Sequence, residues 1–104
     1  METYYVFLGE SGALRFAWAL KDALLREGFA AGQPLRTDWG YLIEVEGFRL
    51  AVFPHPEEPG VFGLEFRPPG GLARLLARAK ADRLRRILLD FLEARGLQPL
   101  AEEV

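Results

Sequence analysis

The chain reads as an α+β domain in the order β-α-β-β-β-α, an antiparallel sheet with two helices mainly on one face. Three observations predict this. The aromatic and β-branched run TYYVFL is followed directly by a helix-length apolar pattern bounded by Ser11 and Gly28. Two β-rich runs are separated only by Glu46-Gly47, the spacing of a tight hairpin. A second helical pattern then extends to a stop at Gly96.

Taken in order, residues 3–8 lack the polar alternation of a half-solvated strand, which predicts a central strand covered on both faces. Ser11 is the candidate N-cap of a helix over 12–27, and Gly28 with Phe29 supplies its Schellman ending. On that helix Arg15, Asp22 and Arg26 share a face. Leu14, Phe16, Ala17, Trp18, Leu20, Ala23, Leu24 and Leu25 spread around the rest, an arc wide enough to imply deep burial.

The Glu46-Gly47 turn pairs Val45 with Phe48, Ile43 with Leu50 and Tyr41 with Val52 on one sheet face, and Glu44 with Arg49 on the other. Residues 61–67 form a third strand, with Phe62, Leu64 and Phe66 alternating onto the core face. Pairing Phe53 with Val61 makes FPHPEEPG the connecting loop and sets Arg49 between Glu44 and Glu65. The prolines at 54, 56 and 59 cannot donate to a ladder, so this loop is stiff and does not extend the sheet.

From PPGG the chain is helical to Arg95. Ala73, Leu76, Ala77, Leu84, Ile87, Leu88 and Phe91 form one stripe, with Leu72, Leu75 and Ala79 off it. Either the helix bends near residues 80–82 or its first turns touch something besides the core. Residues 97–104 form a tail, frayed or an edge strand.

With 104 residues, half of them hydrophobic, the chain is a single domain over 1–104, too short for a catalytic domain plus a regulatory one. Without cysteine there is no disulfide, thiolate nucleophile or Cys-ligated zinc. A net charge of −2 argues against a general polyanion binder. Neither an 18-residue apolar window nor an export signal is visible, so no membrane contact is expected and the cytoplasm is the default compartment. Eleven arginines to two lysines, with no asparagine, suit a GC-rich bacterial genome and a thermophile.

Candidate chemistry is sparse. GESGA has the strand-to-helix setting of a nucleophile elbow but not its fifth residue, and a small hydrolase at Ser11, Asp38 and His55 is the weakest reading. An anion at the same turn is opposed by Glu10, with no P-loop lysine to hold it. His55 with Glu57 and Glu58 is thin support for a metal, so no metal or cofactor is expected. His55 reads instead as turn filler, whose loss should cost no more than about 0.5 kcal/mol.

The second helix carries seven basic residues against Asp82, Asp90 and Glu93, but Arg78, Asp82, Arg86 and Asp90 are spaced as a neutralising i,i+4 ladder. The order helix, three strands, helix is similar to that of the double-stranded-RNA-binding domain, whose second helix opens with a lysine cluster. PPGGLARLL stands in that place here, which removes the phosphate-contacting residues and argues against nucleic acid. The reading favoured is a non-enzymatic protein-interaction module that forms a homodimer. Its expected interface is Leu42, Ala51, Phe53, Val61 and Gly63 on the outer sheet face, with Leu72 and Leu75 at the start of the second helix. The alternative is a ligand-binding regulator using the cleft between sheet and helices.

Overall fold

A computed structural model describes residues 2–9, 11–99 and 101–103, with side chains over 3–9 and 11–99. The elements are β1 (Glu2–Phe7), α1 (Ala13–Arg26), β2 (Leu35–Thr37), β3 (Gly40–Val45), β4 (Phe48–Pro54), β5 (Val61–Arg67), α2 (Leu72–Leu76), α3 (Arg78–Ala94) and β6 (Ala101–Glu103). The strands form one antiparallel sheet in the order β2-β3-β4-β5-β1-β6. The α+β class and the β-α-β-β-β-α framework hold, and β1 is interior. The short strand β2, which borders β3, is not expected from the sequence, and of the two alternatives for the tail the edge strand holds, with β6 on β1.

The core lies between one sheet face and the two long helices. Tyr4, Val6, Ile43, Val45, Leu50, Val52 and Leu64 meet Phe16, Leu20 and Leu24 of α1 and Leu84, Leu88 and Leu92 of α3. Leucines at 84, 88 and 92 repeat every four residues and so stay on one helix face, which makes Leu92 a fully enclosed residue and leaves Phe91 at the margin, edge-on to Phe16 at 5.5 Å. Burying each such side chain contributes about 1.5–3 kcal/mol. The expected deep burial of α1 is only half met. Leu14, Trp18 and Leu25 face solvent, with Lys21 over the Trp18 ring. A wide apolar arc therefore includes an outward stripe that the one-sided core does not reach.

Local signals explain most helix ends. Gly28 N–H donates to the Leu25 carbonyl and Phe29 N–H to that of Leu24, the two bonds of a Schellman motif, with Phe29 buried beneath. Ser11 is not the N-cap. Gly12 takes that position with no side-chain cap, because the chain passes so close to the Leu8 carbonyl that a Cβ at residue 12 would overlap it. The second helical pattern breaks at Ala77, three residues before the expected bend, and forms α2 and α3. Of the expected stripe's first half only Ala77 meets the core. Leu76 is 87% exposed, since α1 and α3 already fill the inner sheet face.

The β3–β4 hairpin has the expected register, Val45 with Phe48 through Tyr41 with Val52. Both turn residues, Glu46 and Gly47, have positive φ, as a type I′ turn requires. Glu46 takes a conformation that costs a non-glycine residue, and its carboxylate has a use there. One oxygen accepts from Ala30 N–H at 2.8 Å and the other from Lys80 Nζ at 2.8 Å, tying the turn to the loop after α1 and to α3. The Lys80 hydrogen bond, then the Ala30 N–H, hold the Glu46 carboxyl below its ordinary range. Arg83 reinforces this corner by donating to the Glu27 carbonyl at 2.7 Å and lying over the Phe29 ring.

The β4–β5 register differs from expectation by two residues. Phe53 faces Gly63, Ala51 faces Glu65, Val52 faces Leu64 and Leu50 faces Phe66. A shift of two preserves which face each side chain points to, so the core assignment survives while every cross-strand neighbour changes. Arg49 stands opposite Arg67 instead of Glu65, and Glu65 pairs with Arg67 at 2.8 Å.

Candidate functional site

Both long helices cover one face, so the other carries whatever β1, β3, β4 and β5 point outward. Across it run Leu35, Leu42, Ala51, Glu65 and Thr3 in one row, and Phe53, Gly63 and Tyr5 in the next. This makes β1 a strand covered by helices on one side only, contrary to the expectation from its unalternating sequence. Its outward positions nonetheless carry no charge, with Thr3 buried, Tyr5 half-buried and Phe7 59% exposed.

The surface is an aromatic cluster rather than a flat apolar sheet. The Phe53 ring lies across Gly63, where a Cβ would come within 2.3 Å of it. Tyr5 stands edge-on to Phe53 at 6.4 Å and to His55 at 5.4 Å. Ala51, Val61 and Gly63 are thereby already buried within the chain, while Phe53 and Leu42 remain half-exposed. Beside the cluster lies a groove of about 340 Å³ lined by Trp39, Ala51, Phe53, Pro54, Glu65 and Arg67. Trp39 is 43% exposed at its end, held there by the β2–β3 turn, in which Thr37 Oγ1 accepts from the N–H groups of Trp39 and Gly40.

A second apolar surface is α2. No residue of this helix is buried; Leu72 and Leu75 are 79% and 75% exposed, and Leu76 exceeds both. The structure does not bring Leu72 and Leu75 together with the outer-face residues in one chain's core. Arg74 and Arg78 border these leucines and make no ion pair among the described residues. The expected Arg78-Asp82-Arg86-Asp90 ladder is absent among the described residues; Asp82 pairs with Arg85 at 2.9 Å, three residues on, which is equally close on a helix.

The candidate catalytic residues are dispersed. Ser11 and Asp38 line an open cleft of about 560 Å³ at the N-terminal end of α1, with Arg36, Trp39 and Tyr41, but His55 does not line it. His55 Nδ1 accepts the backbone N–H groups of Glu57 and Glu58, both at 3.1 Å, and its ring packs on Tyr5. It is a structural organiser of its loop, more than filler, and that nitrogen is occupied. Glu10, expected to oppose an anion at this turn, lies outside the described residues. Among the described residues no three His, Asp or Glu side chains converge as a metal site, and no helix is long and apolar enough to cross a membrane.

Sequence reasoning missed Tyr5, Phe7, Trp39 and Leu76. The signal for the first two was present: aromatics at i and i+2 share a sheet face, and Tyr4 and Val6 already supply the core side. Comparison with known proteins brings no match, either to a family model or to a curated sequence.

Proposed function

We propose that this chain is a non-enzymatic interaction module that self-associates through the outer face of its sheet. The observation that carries the reading is the aromatic outer face, with Phe7 and Trp39 exposed and Phe53 half-buried between them on the side that neither α1 nor α3 covers. Aromatic side chains concentrated in one patch are what interface cores are built from, and leaving them wet forgoes the burial that α1 and α3 give the opposite face. A second copy related by a two-fold axis presents the same patch and covers both at once. Light scattering coupled to size exclusion at micromolar concentration tests this: the wild type runs as a dimer, and Phe53→Glu, which sets unpaired carboxylates in the contact, as a monomer. A monomeric wild type overturns the reading.

A ligand-binding role is the second reading, supported by the cleft beside α1, where Arg36 and Asp38 set one positive and one negative charge beside the Ser11 hydroxyl and the Trp39 and Tyr41 rings. A thermal-shift screen of charged and zwitterionic metabolites, repeated with Arg36→Ala and Asp38→Ala, tests it.

A further inference from the structure

We infer that α2 is an exchanged arm: Leu72, Leu75 and Leu76 of one copy occupy the Trp39–Phe53–Pro54 groove of a second copy, reciprocally. This rests on the self-association reading and names the contact that makes it. The two surfaces are complementary in shape and chemistry. One is a single convex helical turn whose leucines, at i, i+3 and i+4, form a stripe that its own chain does not cover. The other is a concave apolar groove between Trp39 and Arg67.

Charge matches in the same orientation. The arm carries Arg74, with Arg78 following at the start of α3, and neither has an ion-pair partner among the described residues. The Trp39–Pro54 end of the groove is flanked by Asp38, a carboxylate equally without an ion pair among the described residues. Arg67 at the other end is already neutralised by Glu65.

The arm is also built to stand off its own chain. Gly70 and Gly71 have no neighbour within 4 Å of a would-be Cβ, and Gly71 has φ +65°, so nothing packs the arm down where it begins. Its flanks are fixed, by Pro69 next to the Gly47 turn and by Ala77 against the core. A stable interface needs about 800 Å² from each partner, more than one five-residue helix offers, which is why the exchange is reciprocal: two arms in two grooves across one axis.

The test uses light scattering at micromolar concentration on the full chain, with thermal melts to confirm folding. Leu72→Glu/Leu76→Glu, on exposed positions, still melts cooperatively, below the wild-type midpoint only by what the dimer contributed, and runs as a monomer; a groove variant, Trp39→Glu or, if it also folds, Phe53→Glu, runs as a monomer too. Mixed in equal amounts, the arm and groove variants keep one intact arm–groove contact of the two, so they associate more weakly than the wild type but at least tenfold more tightly than either variant with itself. A dimer that survives Leu72→Glu/Leu76→Glu but not the groove variant overturns the arm while leaving outer-face association standing. Variants that associate with each other no more tightly than each does with itself also overturn the arm. A monomeric wild type removes the self-association reading and the arm with it.

Discussion

The β3–β4 hairpin turns through Glu46 and Gly47, whereas the β4–β5 hairpin closes over the longer loop 55–60. In the first, both turn residues must adopt positive φ, so one local conformation admits one register. In the second, backbone closure is satisfied by His55 N–H on the Val61 carbonyl and Val61 N–H on that of Glu58, while His55 Nδ1 gathers the next two amides. Many such loops could close, and the choice falls to the side chains that meet across the strands. Setting Phe53 over Gly63 gives a large ring a place without a Cβ to lie on, across β5 and edge-on to Tyr5 of β1. A short turn encodes its register in its own residues; a long one leaves it to packing.

The largest expected effect follows from that packing. Gly63→Val places a branched side chain where the Phe53 ring lies and should destabilise by about 1–3 kcal/mol in chemical denaturation, the usual cost of overpacking. Adding Phe53→Ala should recover part of the loss. A neutral Gly63→Val would mean that this register is not the one formed.

Removing the loop's internal acceptor comes next. His55→Ala should cost about 0.5–1.5 kcal/mol, because the amides of Glu57 and Glu58 lose their partner and Tyr5 loses a ring contact. That exceeds what a filler residue would show. An unchanged melting midpoint would return His55 to that status.

Smaller still is the charge arrangement that reports the register directly. A double-mutant cycle on Glu65 and Arg67 should give about 0.2–1 kcal/mol at low salt, while the same cycle on Arg49 and Glu65 should give none. Coupling in the second pair alone would favour pairing Phe53 with Val61.

The tight hairpin offers the mildest test, through pH. Because the Glu46 carboxyl titrates lower in the folded chain than its ordinary value of 4.5, its contribution is complete above that value and is lost as pH falls through the lower folded one. Glu46→Gln should therefore melt below the wild type near neutrality, with the gap narrowing in acid. A gap that widens in acid would rule out the Lys80 and Ala30 contacts as its source.

Much of this protein is determined by residues acting over a few positions. The two-residue turn, the Gly28-Phe29 ending and the alternation of Phe62 and Leu64 are local, since backbone dihedrals and side-chain periodicity follow from neighbours in sequence, and they carry the α+β class and most of the core. Tertiary structure decided the rest. Whether TYYVFL is covered on one side or both, whether the long loop pairs Phe53 with Val61 or with Gly63, and whether Leu72, Leu75 and Leu76 reach the core all depend on where the two helices lie. Their placement is a competition for a finite apolar surface. α1 and the Leu84-Leu88-Leu92 stripe of α3 fill the inner sheet face, and the aromatics of the outer face and the leucines of α2 remain outside because nothing within the described chain is left to cover them.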